Sequence, residues 1–161
     1  MDAGEYVATL PCKRAAAGVL FVDESGRVLL VEPVYKQGWE FPGGVVSAEE
    51  SPLAGAVREV KEELGLLVGG ALPLLVVDWV PPRGAVTESV VWLFDGGCLS
   101  AQEIASIRLP AEELRSYRFV DQTEALSLLP PLRGRRLAAA LAARAAGVPA
   151  YVEDGRTPVG R

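Results

Sequence analysis

Residues 44–66, GVVSAEESPLAGAVREVKEELGL, hold five acids, one arginine and three glycines in twenty-three positions, and constrain the chain more than any other stretch. Ser51 before Pro52 has the form of an N-cap followed by proline at the first helical position. Gly65 stands where a left-handed residue ends a helix. The stretch therefore predicts a helix from about Pro52 to Leu64. Leu53, Ala56, Val57, Val60 and Leu64 recur at helical spacing, giving one apolar stripe to face a core. Glu59, Glu62 and Glu63 fall within one turn of each other on the opposite face, which is expected to be exposed, with Arg58 beside them.

Like charges one turn apart cost a bare helix about 0.2–0.5 kcal/mol, and locally only Arg58 and Lys61 offset them. A hard divalent cation would relieve that repulsion, since it takes carboxylate, water and phosphate oxygens. Taken alone, a Glu-Glu pair near a helix end reads as solvated surface. The longer pattern changes that reading. Gly44, Glu50, Arg58, Glu59, Val60, Glu62, Glu63, Gly65 and Leu66 fill every fixed position of the Nudix box without a gap, so the stretch closely resembles that of the Nudix hydrolases. Trp39-Glu40-Phe41-Pro42-Gly43 just upstream is similar to the family's usual approach to the box.

The resemblance implies an α/β fold, an α/β/α sandwich around a mixed β-sheet, with residues 1–161 as a single domain. It also implies hydrolysis of a diphosphate linked to another moiety, with Mg²⁺ or Mn²⁺ as cofactor. By the same resemblance Glu59, Glu62 and Glu63 are the metal ligands, the carbonyl of Gly43 completes their shell, Arg58 and Glu50 orient the carboxylates, and Gly44 and Gly65 shape the box. The family's general base often lies outside the box, before a late strand, where Glu103, Glu112 and Glu113 compete. Glu113 leads through Leu114 into Tyr117-Arg118-Phe119-Val120, the arrangement that family members show, whereas Glu103-Ile104 leads to no aromatic. Glu113 is the choice, with Glu62 as the alternative within the box. A non-catalytic nucleotide-sensing module is the competing class, though such modules usually have a degraded box or an added DNA-binding domain.

The chain contains no histidine, which removes Ser-His-Asp, Cys-His and His-metal chemistry. Acid and base work falls to carboxylates, lysine, tyrosine or water. The net charge of −5 and the absence of a large basic cluster argue against a nucleic-acid duplex as partner. The apolar run at 72–80 is broken by Pro73 and Asp78 and is far shorter than the ~20 residues that span a bilayer. The acidic start lacks an apolar signal region, so no membrane segment and a cytoplasmic location are expected. Cys12 and Cys98 are too few for a disulfide framework and are expected to be buried thiols. The oligomeric state is not specified, and a homodimer is compatible with the sequence.

In chain order, a short polar lead precedes strands at 15–23 and 28–32 joined by a turn at 23–26. Tyr35, Lys36 and Gln37 sit in a loop where they are either substrate contacts or plain surface. Trp39 and Phe41 alternate like a strand that Pro42-Gly43-Gly44 breaks. Gly55 costs a helix about 1 kcal/mol relative to alanine, and close packing on the sheet is its expected reason. Residues 72–80 and 86–95 read as a hairpin, and Val90-Val91-Trp92-Leu93-Phe94 as a strand buried on both faces. An irregular stretch from 96 then leads to a last strand at 117–120 and a short helix at 123–129. An alanine-rich helix over 132–146 follows, stopped by Gly147 and Pro149. Arg133, Arg135 and Arg136 are expected as a solvated turn, with a phosphate or subunit contact as the alternative. The tail from 151 is expected either to be disordered or to fold back through Tyr151 and Val152.

The substrate is read as a small nucleoside diphosphate or triphosphate compound. Pro81 and Pro82, fifteen and sixteen positions after Leu66, resemble a feature of ADP-ribose-type members and slightly favour nucleoside-diphosphate derivatives. Arg83 in the same turn is a weak candidate for substrate contact, as is Tyr35.

Overall fold

The apolar runs at 15–23 and 28–32 show no alternation because their strands are covered on both faces. In the computed structural model, which describes residues 2–160, β1 (Arg14–Val22) and β2 (Val28–Pro33) are buried along most of their length. One face, carrying Ala17, Val19, Phe21, Leu29 and Val31, packs against Ala56, Val60 and Leu64 of helix α2 (Pro52–Leu64). The other, carrying Leu20, Val22 and Leu30, packs against Ala125 of α4 (Gln122–Leu128) and Leu137 and Ala140 of α5 (Pro131–Ala146). This is the expected sandwich.

The remaining elements are α1 (Ala3–Ala8), β3 (Gly43–Val45), β4 (Leu74–Val80), β5 (Ser89–Cys98), α3 (Ala101–Ser106), β6 (Leu114–Val120) and β7 (Ala150–Glu153). The seven strands form one mixed sheet in the order β6-β2-β1-β5-β4-β7, with β3 paired to β1 off this path. β1 runs parallel to β5 and β4 is antiparallel to it, so the expected hairpin forms. The opening that matters lies between β1 and β2, which meet only at Val22↔Val28. Lower down, β3 takes the place beside β1, pairing Ala16, Ala17 and Gly18 with Val45, Gly44 and Gly43.

That pairing is possible only for small residues. A Cβ on Gly18 would stand 2.9 Å from the Pro42 carbonyl, and one on Gly43, at φ 152°, would run into the β1 backbone. The strand expected at Trp39–Phe41 reduces to a single bridge, Val31↔Glu40, and the extended pairing begins at Gly43, where a break was expected. The glycines are there because two backbones approach closely, and they do not end a strand.

The ends of α2 are as expected. Ser51 Oγ accepts the Ala54 N–H at 3.1 Å, and Gly65, left-handed at φ 70°, donates to the Lys61 carbonyl at 3.0 Å. Gly55 faces the Glu50 carboxylate, not the sheet: its missing Cβ would lie 3.0 Å from Glu50 Oε2.

Elsewhere the structure corrects several expectations. The polar lead carries α1, capped by Asp2 and Glu5. The stretch after Gly96 extends β5 and then forms α3, whose Ser100–Glu103 capping box is a readable signal. β6 is not the last strand. β7 adds in parallel to β4 and buries Val152 while Tyr151 stays exposed, so the tail folds back through one of the two named residues. Cys12 and Cys98 are both exposed free thiols. Among the described residues no helix is long and apolar enough to cross a membrane.

The helix stripe is directly testable. Leu64 is fully buried at the foot of α2, so Leu64→Ala should cost about 2–5 kcal/mol in chemical denaturation. Leu67, 82% exposed three residues on, is the control, and its alanine variant should stay within about 0.5 kcal/mol of the parent.

Candidate functional site

The box helix presents Arg58 to the loop that precedes it, and the guanidinium is fully used there. Nε and Nη2 donate to Glu50 Oε1 and Oε2 at 2.8 and 3.0 Å, a bidentate fork. The second Nη2 hydrogen goes to the Val45 carbonyl at 3.0 Å, and Nη1 serves Glu59 Oε1 and Glu62 Oε2 at 2.8 and 3.0 Å. All five donors are thereby matched. The fork, with a further N–H from Ser47 to Glu50 Oε2, lowers the Glu50 carboxyl to about 2. Arg58 is raised above its ordinary value, first by its bond to Glu50.

Glu63 is not on an exposed face. It is 5% exposed, tucked under the β3 corner, where the Gly43 N–H donates to its Oε2 at 2.8 Å. Burial is the main reason its carboxyl is raised to about 8, with the charges of Glu59, Glu40 and Glu113 adding to it against the Gly43 bond. Glu59, half-buried, is also raised, first by burial. Gly44 makes the room, since a Cβ there would be 2.5 Å from Glu59 Oε1.

Glu59, Glu62 and Glu63 line one wall of a cleft of about 690 Å³ that opens over the sheet face shared with α5. Its floor is Ala16, Gly18, Val91 and Leu93 of β1 and β5, residues small enough at β1 to leave the space. Glu113 lines the same cleft from the turn before β6 and lies close enough to act electrostatically on both Glu59 and Glu63. Glu103 is elsewhere, closing the α3 capping box on Ser100. Glu112 is exposed and outside the cleft lining.

Tyr35 and Lys36 reach the cleft mouth, with the Lys36 ammonium 5.2 Å from the Tyr35 ring centre. Arg83 does not. It pairs with Asp154 at the far end of the β4–β5 connection, and neither it nor Pro81 and Pro82 lines the cleft. The three arginines expected as a solvated turn belong to α5 and are all engaged. Arg136 is buried on the fully buried Asp78 at 2.7 Å, whose other oxygen accepts the Gly155 N–H, and Arg135 holds Asp154. Arg133 pairs with Glu40. Sequence reasoning missed Glu40 as a cleft residue and its pairing with Arg133, for which a phosphate contact was only the alternative, because their meeting joins positions far apart in the chain.

A divalent cation fits this donor set by chemistry. The donors on offer are hard carboxylate oxygens, and each of Glu59, Glu62 and Glu63 commits one oxygen (Oε1, Oε2 and Oε2) to the protein bonds above, with the other free among the described residues. The three are not gathered as they stand: among the described residues no group of three or more His, Cys, Asp or Glu is close enough to hold an ion. Arg58 Nη1 lies between Glu59 and Glu62.

A family model described as NUDIX domain matches residues 13–141. The chain belongs to the Nudix family. Among its relatives, a CMP-5'-(N-acetyl-N-hydroxy-3-aminopropyl)phosphonate hydrolase of Streptomyces rubellomurinus is 34% identical over 135 residues, 73% of this chain and 63% of that one. An RNA pyrophosphohydrolase of Halorhodospira halophila is 40% identical over 53 residues, 33% of this chain and 29% of that one. The chain thus spans less than two thirds of the length of either relative. Among solved structures, a MutT protein from Methanosarcina mazei Go1 superposes with a TM-score of 0.59 at 25% identity, covering 76% of this chain and 89% of its own. The Nudix fold accordingly carries the box helix and the β3 corner together.

The raised Glu63 gives a pH signature. Its folded-state value of about 8 lies above the ordinary carboxylate value of about 4.3, so the folded state holds the proton more tightly. The stability this contributes is complete below about pH 4 and is lost as pH rises toward 8. With no histidine in the chain, the melting temperature of metal-free protein should fall between pH 6 and 8.5. Glu63→Gln, which cannot ionise, should flatten that slope, as thermal melts across the range would show.

Proposed function

We propose that this protein is a metal-dependent Nudix hydrolase that cleaves the diphosphate linkage of a nucleoside diphosphate derivative. The observation that carries the reading is the Glu50–Arg58 fork holding Glu59 and Glu62 beside the buried Glu63 at the wall of a cleft large enough for a nucleotide. Relatives named as a CMP-phosphonate hydrolase and an RNA pyrophosphohydrolase support the reaction class.

Glu59, Glu62 and Glu63, with the Gly43 carbonyl, would hold Mg²⁺ or Mn²⁺. When bound, such an ion neutralises phosphate oxygens and acidifies a water. The chain's own residues do the rest. Arg58 is a positioning residue: Glu50 anchors its fork, and its Nη1 fixes where Glu59 and Glu62 point. Glu63, whose burial makes an uncompensated charge costly, would have to give up its proton to hold a cation. Glu113 is the general base, taking the proton of the attacking water from across the cleft. Tyr35 offers its exposed ring to the nucleobase at the mouth.

Incubation with Mg²⁺ and a panel of ADP-ribose, nucleotide sugars, dinucleoside polyphosphates and nucleoside triphosphates should release a nucleoside monophosphate from at least one of them. Chelation should abolish the release, and added Mg²⁺ or Mn²⁺ should restore it. Activity that survives thorough chelation would sink the reading. Arg58→Ala should lower kcat/KM about 10–100-fold by loosening the carboxylates.

The base is tested separately. Glu113→Gln should lower kcat by roughly 100-fold or more with little change in KM, and Glu103→Gln should leave both near the parent values. Equal activity of both variants returns the role to Glu62.

A further inference from the structure

The wall facing the carboxylates carries more positive charge than its own pairing uses. Glu40, 7% exposed, receives both Lys36 Nζ at 2.7 Å and Arg133 Nη2 at 3.1 Å on the same oxygen, Oε2. One cation balances one carboxylate, so the trio keeps a net charge of +1. Lys36 has three donors and Arg133 five, and a single acceptor oxygen leaves most of them unspent. Both side chains line the cleft, and both are about a third exposed, so these donors can reach a ligand. Of the other arginines lining the cleft, Arg136 is satisfied by the buried Asp78, whereas Arg14 donates only to the Thr87 hydroxyl and carbonyl and has no carboxylate partner among the described residues, so it adds a further cation at the β1 end of the cleft.

The trio also stands next to the reacting end. Glu40 is three residues before Gly43, whose N–H holds Glu63, and the Glu40 charge is one of those acting at Glu63. An anion seated on Lys36 and Arg133 would therefore adjoin whatever phosphates the carboxylate wall handles through a cation.

We propose that Lys36 and Arg133 form an anion clamp for a further phosphate of a contiguous polyphosphate chain. On this assignment the site selects nucleoside triphosphates or longer polyphosphates over diphosphates that end in an uncharged sugar. The inference rests on the hydrolase reading for its kinetic consequence but not for its binding consequence. It departs from the slight preference for ADP-ribose-type compounds drawn from Pro81 and Pro82, which lie outside the cleft lining. Arginine and lysine in tandem suit this ligand, one matching phosphate geometry with its planar fork and the other supplying a compact charge.

The test has two arms. In the first, protein stripped of cations and desalted is titrated calorimetrically with inorganic pyrophosphate and tripolyphosphate. Either anion should bind by seating one phosphate on the clamp, and Lys36→Met and Arg133→Gln should each weaken tripolyphosphate binding at least about ten-fold. Arg133→Lys should restore part of that binding, and Arg83→Gln, remote from the cleft, should keep it whole. Lys36→Met leaves Glu40 paired with Arg133, so this variant reports even if Arg133→Gln does not fold.

In the second arm, Mg²⁺-dependent turnover is compared within matched pairs, ATP against ADP and diadenosine tetraphosphate against diadenosine diphosphate. Wild type should favour the longer member through KM, and Lys36→Met should erase that preference in kcat/KM, whereas Arg83→Gln, remote from the cleft, should keep it. Tripolyphosphate binding equal in wild type and Lys36→Met overturns the clamp whatever the kinetics show. No turnover of any nucleotide, with the Lys36→Met binding loss intact, sinks the hydrolase reading and leaves the clamp standing.

Discussion

Everything in the cleft depends on the fork between Arg58 and Glu50. A helix face with three carboxylates within one turn repels itself, and the chain meets this by running one guanidinium through the middle of it. That arginine would be free to swing away on its long stem if Glu50 did not grip it on two hydrogen bonds. Glu50 in turn can approach only because residue 55 has no side chain. The loop that carries Glu50 starts at β3, so the geometry of the acidic wall is set by backbone pairing in the sheet as much as by the helix that bears it.

The second constraint is the close approach of two backbones at Gly18 and Gly43. It places the β3 corner over Glu63 and turns what helical periodicity reads as a solvated acid into a buried one. The same approach substitutes β3 for β2 beside β1, and the small residues of β1 that allow it, Ala16 and Gly18, also form part of the cleft floor. Packing and chemistry thus share one cause.

Much of this is written locally in the chain. The box helix, its cap at Ser51, its stop at Gly65 and its apolar stripe are short-range signals, and the structure has them where the spacing puts them. The strands at 15–23 and 28–32 were legible as strands, but the double cover expected of residues 90–94 holds only at Leu93 and Phe94, because Val90, Val91 and Trp92 stay half-buried and Val91 lines the cleft. What could not be read depends on partners distant in sequence. β7 is four residues long with an exposed Tyr151, and it is a strand because β4, some seventy positions earlier, offers an edge. Arg136 reads as a surface charge until Asp78 is seen beneath it. Cys98 reads as a buried thiol because two cysteines make no disulfide or zinc pattern, yet it lies at the exposed end of β5. Lys36, Glu40 and Arg133 meet only once α5 lies over the sheet.

The splay between β1 and β2 has a consequence for how such a site can change. The acidic wall hangs from α2 and β3, whereas the cationic wall comes from the loop after β2 and the first turn of α5, and the two touch a common floor of short side chains. Substitutions on one wall need not disturb the backbone that aligns the other. On the proposed roles of the two walls, selectivity and reactivity are therefore separable inheritances in this architecture. A lineage could exchange Lys36 or Arg133, or deepen the floor at Ala16, and acquire a new diet while the machinery on the helix stayed as it was.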